Sequence, residues 1–296
     1  GAGLKVGDDN RTQYLLFLGR NEIAELAGLC HQHWQALAAL QPTEPPESGD
    51  DKKLKKTTKQ QKKEAKEAVP PEIKRKLEQL FNGGKAVDVS LFGRMVADSP
   101  GLELDAAAQV AHAVSANAIA AEFDYFTAVD DLQPGEEAGA GMIGTVEFNS
   151  ACFYRYANVD TGQLDNNLQH DVALARQGLG AFLRAFVLAV PAGKQNSMAA
   201  HNPPSFVMTV VRLSGLWSLA NAFLKPVTGA ATDMVDEAIQ RLDAYWNSLT
   251  AMYPDGNRVG LCTLHPGCLK ALQPHCLDTF EEVVRSTVQS AFPPAG

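Results

Sequence analysis

Apolar residues recur at helical spacing from Asn21 to Leu40, where Ile23, Leu26, Cys30, Trp34 and Leu37 share one side and Gln41-Pro42 ends the run. This pattern predicts an amphipathic helix. Pro70-Pro71-Glu72 reads as the start of another, with Ile73, Leu77 and Leu80 on one side and Gly83-Gly84 closing it. Between the two, Pro45, Pro46, Ser48 and Gly49 lead into DDKKLKKTTKQQKKEAKE, good helix formers with Leu54 alone in the middle of an otherwise polar surface. A helix with no apolar face gains little by packing, so this one is solvated or turned toward a ligand.

Beyond residue 100 the period changes. In AQVAHAVSANAI (108–119) alanines and β-branched residues alternate, and periodicity does not separate helix from strand. EFDYFTAV (122–129) and Thr145 to Phe148 are aromatic and β-branched and flank the Pro/Gly-rich LQPGEEAGAG, which predicts a long β-hairpin. Cys152 to Val159 predicts a strand with Phe153 and Arg155 on one face and Tyr154 and Tyr156 on the other. Val172 to Val190 predicts a helix, Pro191 to Pro204 a polar loop, Phe206 to Val211 a strand, and Asp233 to Met252 and Asp278 to Ala291 two further helices. The order is that of an α+β domain with a helical insertion.

The chain has 296 residues, 45% hydrophobic and 20% charged, enough for one elaborated globular domain or two ordinary ones. Its most apolar stretch, Ala181 to Val190, is interrupted by Arg184, so no membrane span is expected. GAGLKVGDDN at the start has neither an initiator Met nor the regions of a signal peptide, and five cysteines make no disulfide framework. A reducing, cytoplasmic setting is expected.

Charge refines this picture. Residues 50–67 hold eight lysines against four carboxylates, a local charge of +4 that leaves −12 for the rest of a chain totalling −8. From Val172 to Thr232 there is no Asp or Glu, while Arg176, Arg184, Lys194, Arg212 and Lys225 supply positive charge. An acid-free surface in an acidic protein suits phosphate, although the same stretch could simply be core.

The common enzyme signatures are missing: no P-loop, no dinucleotide-type glycine fingerprint, no G-x-S-x-G elbow. Asp130-Asp131 with Glu147 could hold a divalent metal, but adjacent strand residues point oppositely, which favours a turn or capping role. Cys262, His265, Cys268, His275 and Cys276 offer zinc-capable atoms at a spacing, C-x5-C-x7-C, that no standard finger uses. His112, in an apolar stretch, reads as a core residue.

FDYFTAVDDL (123–132), GTVEFNSACFYRYANVD (144–160), PAGKQNSMAAHNPP (191–204) and SLANAF (218–223) resemble the backbone subunit of type I-E CRISPR Cascade complexes, the CasC family. The resemblance runs from about Leu15 to the C-terminal region and includes VDVSLFGRM (87–95) and AHAVS (111–115). It implies an α+β fold: an RRM-like (ferredoxin-like) palm at residues 87–121 and 152–296, a helical finger insertion within 1–86, and a β-hairpin thumb at 122–151. It also implies that 108–119 is a palm strand. Family members begin with a palm strand and a basic S-S-Q-x-x-K-R-like element, neither of which is present in these residues.

The function so implied is that of a non-catalytic scaffold, without cofactor or metal, that polymerises along a CRISPR guide RNA with other Cascade subunits and helps capture target DNA. In the family the thumb flips out about every sixth nucleotide, which calls for apolar wedges that replace a stacked base. Met95, Phe126, Val129 and Ile143 match wedge positions; Tyr125, Thr127, Arg94, Lys194 and Gln195 match RNA contacts. The lysine block, Lys52, Lys53, Lys55, Lys56, Lys59, Lys62 and Lys63, matches a DNA-contacting surface. The alternative is a metal-dependent ribonuclease using Asp130 and Asp131, since related type III backbone subunits cut RNA with a thumb-loop aspartate.

Overall fold

The computed structural model describes residues 11, 15–38, 71–80, 85–96, 103–128, 142–230, 232–254 and 256–293. These divide into two compact units. The first comprises Gly1–Gln109 and Asn158–Leu183, the second Val110–Ala157 and Arg184–Gly296.

In the first unit, α1 (Arg20–Gln32) and α2 (Trp34–Ala38) occupy the predicted N-terminal helix, with a break at His33. The face they bury is turned from the predicted one, with Leu26, Cys30 and Leu37 half-buried as expected. Leu29 and Glu22 are buried, while Ile23 and Trp34 are exposed. The cause is polar: Glu22 Oε2 accepts the Gly19 backbone N–H at 2.7 Å, and the same carboxylate receives the distant Arg94, which rotates the helix about this anchor. Helix α3 (Pro71–Leu80) forms as its sequence predicts, and Leu77 and Leu80 join Leu16, Leu18 and Leu26 around the buried Val96. Helix α4 (Val87–Phe92) ends at Gly93, whose φ of +75° belongs to the region that favours glycine. A Cβ there would also lie 2.8 Å from the Leu104 carbonyl oxygen. Helix α5 (Thr161–Asn167) is capped by Asp160, and Asn167 Nδ2 donates to the carbonyls of Ser90 and Asp105 at 2.9 and 2.8 Å. The chain leaves this unit within α6 (Val172–Leu188).

Eight short strands form four two-stranded ladders among the described residues: β1 (Ala108–Val110) with β6 (Ala157–Val159), β2 (Val114–Ser115) with β5 (Phe153–Tyr154), β3 (Glu122–Ala128) with β4 (Met142–Phe148), and β7 (Phe206–Val211) with β8 (Arg258–Thr263). The last three are antiparallel. The continuous palm strand expected at 108–119 is therefore two short pieces. The break falls at 111–113, and side-chain hydrogen bonding ends the second piece: Asn117 N–H donates to Ser115 Oγ at 3.2 Å, and Cys152 N–H donates to Asn117 Oδ1 at 2.9 Å, so a local turn replaces ladder bonds after β2. The expected strand over Cys152 to Val159 likewise splits at Arg155. His112, expected in the core, is exposed.

The second unit's core gathers Leu219, Ile239, Leu242, Trp246, Leu261, Leu269 and Leu272. These come from β8, from α8 (Met234–Met252), and from the connecting loops. Asp233 caps α8 through the Val235 N–H at 2.8 Å. Within that helix the buried Asp243 accepts the Leu272 and Ala271 N–H groups at 2.8 and 3.1 Å, pinning an irregular loop where no ladder could satisfy it. Helix α9 (Phe280–Ala291) opens with a reciprocal capping box between Thr279 and Glu282 and packs on β7 and β8, where Thr287 and Thr209 hydroxyls lie 2.6 Å apart.

Candidate nucleic-acid interface

Strands β3 and β4 form because EFDYFTA and MIGTVEF are rich in residues that suit a pleated surface. Their register pairs Tyr125 with Thr145, Phe126 with Gly144 and Thr127 with Ile143. Directly opposed residues share a face, so the hairpin has two distinct sides. Phe123, Tyr125, Thr127, Thr145 and Ile143 lie on one; Asp124, Phe126, Gly144 and Val146 lie on the other. Phe126 and Ile143, both matched as wedges, therefore stand on opposite faces.

Both sides of this hairpin carry aromatic surface to solvent. Phe123 is 57% exposed, Tyr125 74% and Phe126 42%. Exposed aromatics on a two-stranded arm have no packing reason to be there, and they offer flat apolar faces on which bases stack. Val129, Asp130 and Asp131 lie outside the described residues, as does the whole lysine block from Lys52 to Lys63.

Met95 and Arg94 part company. Met95 is 81% exposed. Arg94 is buried, with Nη1 donating to Glu22 Oε1 at 3.1 Å, to Glu22 Oε2 at 3.2 Å and to the Phe17 carbonyl at 3.4 Å. The guanidinium expected to contact the RNA backbone is here committed to a buried carboxylate. With Arg94 and Val96 both inward, the extended chain turns Met95 outward.

Lys194 is exposed and sits at φ +56°, opening the four-residue helix α7 (Gln195–Met198), and Ala199 closes it at φ +47°. Gln195 uses its amide inside the loop, Nε2 donating to the Pro191 carbonyl at 2.6 Å. Elsewhere in the acid-free stretch Arg184 and Arg212 have partners. Arg184 forms a fork with Glu281, Nε to Oε1 at 2.9 Å and Nη2 to Oε2 at 2.6 Å. Arg212 stacks 3.5 Å above the Trp217 ring centroid and donates to Asn257 Oδ1 at 3.0 Å. Residues Ala175, Leu179 and Phe182 of α6 are core. The missing acids thus reflect packing as well as surface.

Among the described residues no group of three or more His, Cys, Asp or Glu is arranged to hold a metal ion. His265 Nδ1 instead meets Asp236 Oδ1 at 2.6 Å. Burial raises the Cys262 thiol, and burial with nearby Asp233 raises that of Cys152, which keeps both in the unreactive protonated form. Sequence reasoning passed over Phe123, Gly144 and Glu22. The second had a legible signal, a glycine inside a strand pattern.

Residues 1–285 match the family described as CT1975-like protein. The chain belongs to the CT1975-like protein family. Two solved structures are similar to this family member. A chain of a CRISPR RNA-guided surveillance complex in a pre-nicking state is 31% identical at a TM-score of 0.77, the match covering 99% of this chain and 74% of that one. A chain of another CRISPR RNA-guided surveillance complex is 34% identical at a TM-score of 0.61, covering 74% and 84%. No curated protein matches the chain.

Proposed function

We propose that this CT1975-like protein is a non-catalytic, guide-RNA-binding backbone subunit of a type I-E CRISPR Cascade complex, one that polymerises along the guide with other Cascade subunits in the cytoplasm. The observation that carries the reading is the hairpin: a two-stranded arm with solvent-facing aromatics on both sides, in a chain similar over 99% of its length to part of an RNA-guided complex. The hairpin acts as a thumb that separates stacked nucleotides, with Phe126, Val129 and Ile143 as wedges and Tyr125 and Thr127 beside them. Met95 is a further wedge, and Lys194 with Gln195 contacts the RNA backbone. The β7–β8 pair with α8 and α9 belongs to an RRM-like palm, and the N-terminal helices with the lysine block form a finger. Lys52, Lys53, Lys55, Lys56, Lys59, Lys62 and Lys63 meet target DNA. No described helix is long and apolar enough to cross a membrane.

A scaffold of this kind reads phosphate and shape rather than base edges. Two guides with unrelated spacers and one repeat context will bind with equal affinity, falling steeply with salt. Incubating the guide-loaded assembly with Mg²⁺ and complementary RNA will leave the RNA intact. Cleavage lost on replacing Asp130 and Asp131 overturns the non-catalytic reading.

A further inference from the structure

Gly144 occupies a position that makes no conformational demand for glycine. It lies within β4, its φ falls outside the left-handed region, and glycine in a strand interior forfeits both entropy and packing surface. The reason for it stands across the ladder. A Cβ built at Gly144 would lie 2.6 Å from Phe126 Cζ, 2.7 Å from Cε1 and 3.4 Å from Cε2, so its three nearest neighbours are all atoms of one ring. The far end of the Phe126 ring therefore lies over the glycine, and this cover leaves it the least exposed of the three aromatics on β3.

We propose that Gly144 is a positioning residue: it is the seat that holds the Phe126 ring against the hairpin and so sets the depth and angle at which the ring's free face meets a nucleobase. The inference rests on the reading of Phe126 as a wedge and adds the residue that aims it. Alanine is accommodated by the strand backbone, and what it displaces is the far end of a side chain rather than backbone. Gly144→Ala will therefore move the ring without unfolding the hairpin. Covering a strand glycine with a cross-strand aromatic also stabilises a sheet locally, and the test has to separate that role from aiming.

The full chain is bound to single-stranded RNAs carrying 2-aminopurine at successive positions. The wild type will give a fluorescence rise at the unstacked nucleotides, Phe126→Ala will abolish it, and Gly144→Ala will at least halve it with a thermal midpoint equal to or above that of the wild type. In NMR spectra of glycine-labelled protein, the Gly144 Hα resonances will show an upfield ring-current shift that Phe126→Ala removes. A wild-type fluorescence rise in Gly144→Ala, an unshifted Gly144, or a fluorescence loss that merely tracks a lowered midpoint overturns the seat. An unchanged rise in Phe126→Ala overturns the wedge reading itself, and the seat with it.

Discussion

Arg94 Nη1 lies 3.1 Å from Glu22 Oε1, and both side chains are 1% exposed. The pair joins the entry of α1 to the segment after α4, across 72 residues of chain. It also explains two features at once: the rotation of α1 that leaves Ile23 in solvent, and the outward direction of Met95.

Removing one partner leaves an unpaired buried charge, which costs about 3–5 kcal/mol. Glu22→Ala and Arg94→Ala will each lower the unfolding free energy measured in urea by that order, whereas Glu22→Leu combined with Arg94→Met will recover most of it. Met95→Ala will leave the midpoint near the wild type and weaken RNA binding. Arg94→Ala that weakens RNA binding with unchanged stability would restore Arg94 as a direct contact.

The hairpin aromatics are exposed and will contribute little to folding. Replacing Phe126 together with Ile143 by Ala removes surface on both faces, each worth about 1–3 kcal/mol if it substitutes for a stacked base. RNA titrations at fixed salt will show the loss, and thermal melts of the free chain will not. A lowered melting point in the free chain would make these residues structural.

Glu237 accepts the N–H groups of Gly229 and Thr228 at 3.0 and 3.1 Å and pairs with Arg241. The Gly229 bond above all, then Thr228 and Arg241, holds its carboxyl below the usual range. A depressed carboxylate stabilises the fold above its unfolded pKa, and that contribution is lost as pH falls through the folded value. The protection of the Thr228 and Gly229 amides against hydrogen exchange, taken relative to the intrinsic rate at each pH, will therefore fall on acidification in the wild type, and Glu237→Gln will flatten that dependence. Equal profiles for the two proteins would contradict the assignment.

The lysine block gives a fourth expectation. Changing Lys52, Lys53, Lys56 and Lys59 to Ala will slow DNA association by the guide-loaded complex and flatten its salt dependence, by roughly 0.9 in log–log slope for each phosphate no longer neutralised. Bound RNA will be unchanged. Lost RNA with unchanged DNA association would reverse the division of labour between the two basic regions.

Elements whose signals are local were legible. α8 and α9 carried both an apolar stripe and a capping residue, and β7 was bounded by Pro203-Pro204 and Arg212. β8 was not foreseen, because RVGLCT carries a glycine and no alternation, and it becomes a strand by pairing with β7. The far end of the run at 108–119 misled for a related reason: Ser115 and Asn117 close a turn after β2 that no hydrophobic pattern reports. Exposed hairpin aromatics were visible as a family wording, yet only the register reveals that Phe126 and Ile143 face opposite ways. The Glu22–Arg94 pair was invisible, since nothing local marks one carboxylate on a helix as the partner of a distant guanidinium.

The central claim is that several copies of this chain hold one guide RNA. Native mass spectrometry of the chain purified after co-expression with a repeat–spacer guide, before and after ribonuclease treatment, tests it most directly. The expected result is a particle of one RNA with several protein copies, whose RNA is protected in evenly spaced segments. A chain that purifies as an RNA-free monomer under the same conditions would contradict it.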